Sequence, residues 1–145
     1  MATLQLDLIL EFIRNWTESR SDIRGVALVG SWARGNPKPD SDIDLIILTT
    51  DPNSYCTDTA WLRNMRWSDL GLTMTRSVTA EYGEVRSLHL YFAEANKIEF
   101  GFTLPTWARV NPMDAGTRKV VRDGMRIILD RDALFARLLL ELTTK

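Results

Sequence analysis

The sequence predicts an α+β fold in which helices flank a mixed β-sheet. Apolar residues recur at helical spacing near the N-terminus, over residues 6–16, and again in the last stretch of the chain, over residues 134–142. Between these stretches lie short runs rich in β-branched and aromatic residues, separated by glycine, proline and asparagine. The chain has 145 residues and no internal repeat, so we expect residues 1–145 to form a single domain.

The elements can be assigned in order along the chain. The predicted helices and strands are a helix at 6–16, strands at 26–29 and 42–48, a helix from Thr57 or Asp58 to about residue 67, an extended segment at 72–79, strands at 85–92 and 98–104, a helix from Asp114 to Val121, a strand at 125–129, and a last helix that Asp130 or Asp132 opens. Residues 26–29 are all apolar, so this strand should be covered on both faces. Residues 51–54 are predicted to form a turn because they contain aspartate, proline, asparagine and serine.

Composition restricts the classes of function. The 18 lysine and arginine residues nearly balance the 19 aspartate and glutamate residues, and the net charge is −1, which disfavours a nucleic-acid partner. Cys56 is the single cysteine of the sequence, so an internal disulfide is excluded. The sequence has neither an apolar stretch of membrane-spanning length nor the basic start of a secretory signal. We therefore expect a cytoplasmic protein with no membrane partner.

The segment over residues 30–48 carries the strongest chemical signal. Gly30 and Ser31 follow the buried strand, and small residues ahead of a turn or helix expose backbone N–H groups that can hold a phosphate. Asp42 and Asp44 enter the next strand, where the two-residue period directs both side chains to the same face. Adjacent carboxylates repel each other and lose hydration, and a shared cation such as Mg²⁺ offsets this cost. The pattern predicts metal-assisted chemistry on a nucleoside triphosphate.

Two familiar motifs with similar spacing do not account for this segment. The glycines of 30–35 have the spacing of a P-loop, but Asn36 and Pro37 stand where lysine and serine or threonine are required. The alternate aspartates that begin at Asp40 imitate the start of an EF-hand, but Leu45 occupies the position of its obligatory glycine. The alternative that stays open is a pair of acids at the end of a loop, one capping and one solvated.

The motif Gly-Ser-x-x-x-Gly at 30–35, followed by Ser-Asp-x-Asp-Leu at 41–45, resembles the signature of the polymerase-β-like nucleotidyltransferases. The similarity is greatest to their minimal members and to aminoglycoside adenylyltransferases. It implies a nucleotidyltransferase-like fold in which Asp42 and Asp44 bind Mg²⁺ or Mn²⁺. It also implies that the backbone around Gly30, together with Ser31, holds the phosphates of a nucleoside triphosphate, of which ATP is the simplest choice.

Members of this family carry a third carboxylate on a later strand, and Glu99 is the residue that fits. It lies between Ile98 and Phe100 in the middle of a predicted strand, where a buried carboxylate without a partner is costly. The adjacent Gly101 leaves room for another group to approach. The resemblance therefore implies that Glu99 completes the metal site or accepts the proton of the acceptor hydroxyl. The alternative is a solvent-facing glutamate on a half-exposed sheet.

The sequence leaves two interpretations open for Arg34 and two for His89. Arg34 either contacts the triphosphate, whose oxygens suit a guanidinium group, or is an ordinary surface arginine. His89 and Tyr91 share a face with Glu99 if the loop between strands 85–92 and 98–104 contains an odd number of residues. With an even number, Leu88 and Leu90 take that face instead.

The resemblance implies transfer of a nucleoside monophosphate, most simply AMP from ATP, onto a hydroxyl of a small molecule or protein, with release of pyrophosphate. The chain is too short for the additional helical domain of the drug-modifying relatives, so the acceptor pocket is expected between the protomers of a homo-oligomer or on a helical partner protein. The competing hypothesis is an antitoxin-type or vestigial nucleotide-binding module that acts by binding such a partner.

Overall fold

The computed structural model describes residues 3–37, 42–94 and 97–143. In chain order, the helices and strands are α1 (Thr3–Glu18), β1 (Ile23–Val29), β2 (Ile43–Thr49), α2 (Pro52–Thr57), α3 (Ala60–Asn64), β3 (Met74–Tyr82), β4 (Val85–Phe92), β5 (Ile98–Thr103), α4 (Ala115–Asp123), β6 (Met125–Asp130) and α5 (Leu134–Thr143). Short 3₁₀ helices occupy Trp67–Leu70 and Pro105–Ala108.

The strands form one sheet in the order β3-β4-β5-β2-β1-β6. β2 and β5 pair in parallel at its centre, while the other neighbouring strands pair antiparallel. A parallel pair needs a long crossover, and here the chain between β2 and β5 includes α2, α3 and the β3–β4 hairpin. The prediction of an α+β fold with a mixed sheet flanked by helices is confirmed.

The two faces of the sheet are covered differently. The larger core lies on one face, where α1 and the residues of α2 and α3 pack on side chains from the central strands, including Leu28, Leu45 and Phe100. On the other face a smaller core joins α4 and α5 to β1, β2 and β6. Strand β3 forms one edge of the sheet, and most of its residues are exposed. The second face therefore has a covered half and an open half, and the open half includes the side chains of β4 and β5 discussed below.

The predicted start of the first strand is wrong by three residues, because β1 begins at Ile23. Gly25, which we expected to end the preceding turn, lies inside the strand, where the pairing register shifts. A Cβ atom at this position would lie 2.7 Å from a ring carbon of Phe135. Glycine is therefore required here by the close approach of α5 rather than by a turn.

The structure also corrects the region after β2. The predicted turn at 51–54 is the start of α2, with Pro52 in its first turn, where the missing N–H of proline costs nothing. The predicted helix to residue 67 is shorter, because α3 ends at Asn64 and Met65 has extended backbone angles. Trp61, Leu62 and Met65 are nevertheless buried, as their spacing predicted.

The ends of the last helices agree with the sequence. The Asp114 carboxylate accepts hydrogen bonds from backbone N–H groups in the first turn of α4, and Gly124 ends that helix with a φ of 135°. Asp130 rather than Asp132 accepts the N–H groups at the start of α5. Asp132 instead forms an ion pair with Arg24. No helix in the described ranges has both the length and the apolar character needed to cross a bilayer.

Candidate active site

The parallel pairing of β2 and β5 brings two of the predicted acids together. Asp44 of β2 is the register partner of Glu99 of β5. Their neighbours Leu45 and Phe100 point into the larger core, so the two carboxyl groups project from the opposite face of the sheet. The side chains lie within hydrogen-bonding distance of each other. Acids from two distant parts of the chain thus meet on one surface of the sheet.

The electrostatics of this pair are unfavourable without a cation. Burial, followed by the contact with Glu99, raises the pKa of Asp44 to about 7; Asp42 adds repulsion, and Lys97 partly opposes it. Two carboxylates in contact cannot both ionise cheaply in a partly buried site. At neutral pH the pair therefore holds a proton or recruits positive charge.

Asp42 has a partner of its own. Its Oδ2 atom lies 3.2 Å from Nζ of Lys97, because the strand pairing that aligns Ile43 with Ile98 continues outward to these residues. Burial alone would lower the pKa of Lys97, but the Asp42 carboxylate raises it above its usual range. The structure thus brings Asp42 close to Asp44 while neutralising it with a lysine.

Gly30 lies directly against Asp44. Val29, the last residue of β1, pairs with Asp44, so the chain turns immediately beside the carboxylate. A Cβ atom at Gly30 would lie 2.5 Å from Oδ2 of Asp44, and the backbone φ there is +78°. Both observations require glycine. The following turn is closed by hydrogen bonds from the N–H groups of Ala33 and Arg34 to the carbonyl oxygen of Gly30.

A cleft of about 370 Å³ opens beside the acid pair. The predicted site residues that line it are Gly30, Arg34, Asp44 and Glu99. Tyr82 and Val85, from the β3–β4 hairpin, and Val120 of α4 provide apolar surface in the same cleft. Ser31 directly follows Gly30 and Asp42 lies two residues before Asp44, but neither of them lines the cleft. The structure therefore gathers four of the six predicted residues around one opening.

Comparison with known families identifies this arrangement. The family model described as a nucleotidyltransferase domain matches residues 9–109. The match covers most of the chain, from α1 through both acid-bearing strands. The chain belongs to the nucleotidyltransferase domain family. Among curated proteins, no sequence matches the chain.

The family assignment confirms the resemblance on which the prediction was based, and with it the nucleotidyltransferase-like fold. All six predicted site residues fall inside the matched range. The elements α4, β6 and α5 follow the matched range, and Val120 and Asp123 of α4 line the cleft. Nucleotidyl transfer is the general activity of the domain, and its donor, acceptor and metal are considered below.

A divalent cation fits part of the predicted metal set. Among residues 3–37, 42–94 and 97–143, no group of three or more histidine, cysteine, aspartate or glutamate side chains has an arrangement suited to holding a metal ion. Asp44 and Glu99 nevertheless offer only oxygen donors, which Mg²⁺ and Mn²⁺ prefer, and their mutual repulsion favours a cation between them. For Asp42 to join them, its ion pair with Lys97 must first open. The three-acid metal site of the nucleotidyltransferase domain stays a prediction.

Arg34 is held at the mouth of the cleft by backbone packing. A Cβ atom at Gly124 would lie 3.1 Å from Cγ of Arg34 and 3.3 Å from its backbone nitrogen. The end of α4 thus lies against this arginine, although its side chain is exposed. The position is compatible with a phosphate contact.

Three features of the nucleotidyltransferase site were missed or left open by the sequence. His89 pairs with Glu99 across β4 and β5, so the interpretation with an odd-numbered loop is confirmed. Lys97 lies two residues before Glu99, just as Asp42 lies two residues before Asp44. Only the parallel pairing of the two strands shows that this equal spacing places Lys97 beside Asp42. Gly101 does let other groups approach, because a Cβ atom there would lie 3.0 Å from Val85 and 3.2 Å from Ile46, and the glycine also lines the cleft.

Proposed function

We propose that the protein transfers a nucleoside monophosphate, most simply AMP from ATP, onto a hydroxyl group and releases pyrophosphate. The observation that carries this proposal is the Asp44–Glu99 pair beside Gly30, in a chain that belongs to the nucleotidyltransferase domain family. The repulsion within the pair is a cost that folding alone does not remove. A divalent cation held by Asp44 and Glu99 would offset this cost and would supply positive charge to the phosphates of the donor.

The metal in this proposal is Mg²⁺ or Mn²⁺. Asp44 and Glu99 would hold it, and Asp42 would join them when its carboxylate leaves Lys97. When bound, the cation supplies charge neutralisation for the phosphates and lowers the cost of forming an alkoxide from the acceptor hydroxyl. Since Asp44 is half-buried, its interaction with a cation is screened less than that of a surface aspartate.

In this proposal, the turn that begins at Gly30 binds the phosphates of the nucleoside triphosphate donor. The backbone that follows Gly30 and the hydroxyl of Ser31 contact the phosphates. Arg34, whose position beside the cleft is supported by the packing of Gly124, offers a planar guanidinium group to phosphate oxygens. These contacts orient the α-phosphorus for in-line attack, an arrangement that lowers the entropic part of the barrier.

Glu99 is the candidate to accept the proton of the hydroxyl that attacks. It lines the cleft beside Asp44, and its side chain is 24% exposed. The acceptor would enter between Tyr82, Val85 and α4, where the apolar surface suits the non-reacting part of a small molecule or of a protein side chain. A second protomer or a helical partner protein would complete this pocket. We place the reaction in the cytoplasm.

The decisive experiment measures pyrophosphate release and label transfer from α-³²P-labelled ATP in the presence of Mg²⁺ or Mn²⁺. Candidate acceptors are hydroxyl-bearing small molecules, including aminoglycosides, and proteins that co-purify with the chain. We expect transfer by the native protein and by Asp69→Asn, which changes an exposed acid that does not line the cleft. We expect none by Asp44→Asn. Full activity in the Asp44→Asn variant would refute the proposal.

One observation favours a second candidate function, a binding module that acts on a helical partner protein. Val78 and Tyr82 on β3 are 42% and 57% exposed, and they share the face of the sheet that carries the acid pair, since Val78 pairs with His89 and Tyr82 lines the cleft. Exposed apolar side chains at the margin of a site suit a protein contact. This hypothesis predicts nucleotide binding without pyrophosphate release, and loss of partner binding in Val78→Asp.

A further inference from the structure

Glu99 occupies a position that its own charge opposes. Its carboxyl group contacts that of Asp44, and like charges at this distance repel each other. Glutamate has three rotatable side-chain bonds, and the side chain of Glu99 is 24% exposed. It could therefore relieve the repulsion by rotating towards solvent. When both carboxyl groups are ionised, as a cation site requires, a group on the far side of Glu99 is needed to keep it beside Asp44.

His89 lies on that far side. It is the register partner of Glu99 on β4, and directly opposed residues of an antiparallel pair have Cβ atoms about 5 Å apart on the same face. The Nε2 atom of His89 lies 3.3 Å from Oε1 of Glu99. Along this row of the sheet the three side chains follow one another as His89, Glu99 and Asp44.

The imidazole ring is fixed by its surroundings. His89 is only 8% exposed, and it belongs to an interior strand that pairs with β3 on one side and β5 on the other. The ring of Tyr82 lies against it, with centroids 6.3 Å apart. A buried ring on an interior strand has few alternative rotamers, so His89 can act as a fixed anchor for a more mobile neighbour.

The Nε2 atom is also the unsatisfied polar atom of this row. It is buried, and no described residue forms a hydrogen bond of good geometry with it. Buried polar atoms are normally satisfied, and within the row the Glu99 carboxylate is the neighbour at contact distance. A small rotation of that carboxylate aligns it with the ring nitrogen. The Nε2 atom of His89 therefore has unused hydrogen-bonding capacity, and its neighbour at contact distance is Glu99.

We propose that His89 is a positioning residue that holds the Glu99 carboxylate beside Asp44, so that the two acids act together on a divalent cation. This inference rests on the proposed function, and it deepens that function by assigning a role to a residue outside the acid set. Residues that orient metal ligands typically change metal affinity or activity by about 10-fold to 100-fold when they are removed. An effect of this size is therefore expected at position 89.

The test compares His89→Leu, which removes the ring nitrogen but keeps apolar bulk, with His89→Gln, which keeps a side-chain N–H donor. Mn²⁺ affinity is measured without nucleotide, from the electron paramagnetic resonance signal of free Mn²⁺. The kcat and the KM for ATP are measured separately by pyrophosphate release. For His89→Leu we expect Mn²⁺ binding weakened about 10-fold or more and kcat lowered about 10-fold to 100-fold, with the KM for ATP changed by less than about 3-fold. For His89→Gln we expect values within about 3-fold of the native protein.

The outcomes separate the two proposals. If His89→Leu folds and matches the native protein in Mn²⁺ affinity and kcat, the positioning role is wrong while the proposed function stands. If His89→Gln is as impaired as His89→Leu, the ring shape rather than its nitrogen matters, and the positioning role is again wrong. If the native protein neither binds Mn²⁺ nor releases pyrophosphate, both proposals fail. If His89→Leu does not fold, His89→Asn replaces it, since its amide is too short to reach Glu99 and the same losses are expected.

Discussion

Two neighbouring side-chain pairs, one between β2 and β5 and one directly before these strands, show how the partner of an aspartate determines its electrostatic environment. Asp44 meets Glu99, an acid, whereas Asp42, two residues earlier, meets the ammonium group of Lys97. Burial, followed by the contact with Glu99, raises the pKa of Asp44 to about 7, while Asp42 has a counter-ion supplied by the chain itself. The comparison teaches that the first pair needs a proton or an added positive charge at neutral pH, whereas the second carries its own counter-ion.

The largest expected effect on activity comes from removing the carboxylate of Asp44, which has no counter-ion from the chain comparable to the Lys97 partner of Asp42. Asp44→Asn should lower nucleotidyl transfer at least about 1,000-fold, because a direct contact with the reacting charge is worth about 4 kcal/mol or more at the transition state. The fold should be retained, since the acid pair is a cost to folding. Circular dichroism checks the fold and pyrophosphate release checks the activity. Activity within 10-fold of the native protein would contradict the assigned role.

The next largest effect, a loss of stability, tests how tightly the turn at Gly30 packs against Asp44. Gly30→Ala introduces a Cβ atom 2.5 Å from Oδ2 of Asp44 at a φ of +78°, and we expect it to lower the free energy of unfolding by about 2–4 kcal/mol. Gly71→Ala is the matched control. Its φ is +72° but no atom lies within 4 Å, so it should cost only about 1 kcal/mol of backbone strain.

Urea unfolding of both alanine variants measures the difference between them. Equal losses at the two positions would mean that the contact between Gly30 and Asp44 has no energetic consequence. A larger loss at Gly30 that disappears in the double variant with Asp44→Ala would assign the cost to the carboxylate.

The pH dependence of stability is a smaller effect that separates the two acid environments. The pKa of Asp44 is raised to about 7 in the folded protein but is about 3.9 in an unfolded chain. Between these values the folded state binds more protons than the unfolded state, so stability without metal should fall as pH rises from about 4 to about 7 and then level off. After discounting for partial exposure, the expected loss is about 1–2 kcal/mol, or about 3–8 °C in Tm.

Thermal melts in EDTA at pH 5.5 and pH 8.0 measure this loss. Mg²⁺ or Mn²⁺ added at pH 8.0 should restore the stability, because a cation that binds only the folded state stabilises it by mass action. Asp44→Asn should flatten the pH dependence and gain nothing from the metal. A native protein that is more stable at pH 8.0 than at pH 5.5 in EDTA would show that the sign assigned to Asp44 is wrong.

The smallest expected effect comes from breaking the ion pair between Asp42 and Lys97. Lys97→Met removes the ammonium group 3.2 Å from Asp42 and keeps much of the aliphatic stem. Ion pairs near the protein surface are typically worth about 1 kcal/mol or less, so we expect the free energy of unfolding of this partly exposed pair to change by about this much. Mn²⁺ affinity should rise by up to about 10-fold, because a competing cation has been removed. Weaker Mn²⁺ binding in this variant would instead make Lys97 part of the site.

Much of the fold could be predicted because its signals are local. The helical spacing of apolar residues predicted α1 and α5, and Asp114 and Gly124 marked the ends of α4, since a cap depends only on neighbouring backbone groups. The errors arose where a distant element overrides a local preference. Gly25 is the clear example, because its place inside β1 is explained by the ring of Phe135 on α5.

The candidate site divides in the same way. From the sequence alone, Asp44 and Glu99 could each be assigned to the polar face of a strand, because the two-residue period is a local property. Gly30, Ser31 and the aspartates could be matched to a family through a motif contained in 16 consecutive residues, 30–45. These features need no knowledge of which strands pair.

Only the tertiary structure decided that β2 and β5 lie side by side and in which register. That pairing joins residues far apart in the chain, and its choice depends on the burial of both strands between two cores rather than on any local preference. A shift of one residue would have moved Glu99 into the apolar core and its neighbours onto the open face. The meeting of Asp44 with Glu99, of Asp42 with Lys97, and of His89 with Glu99 therefore follows from the packing of the whole sheet.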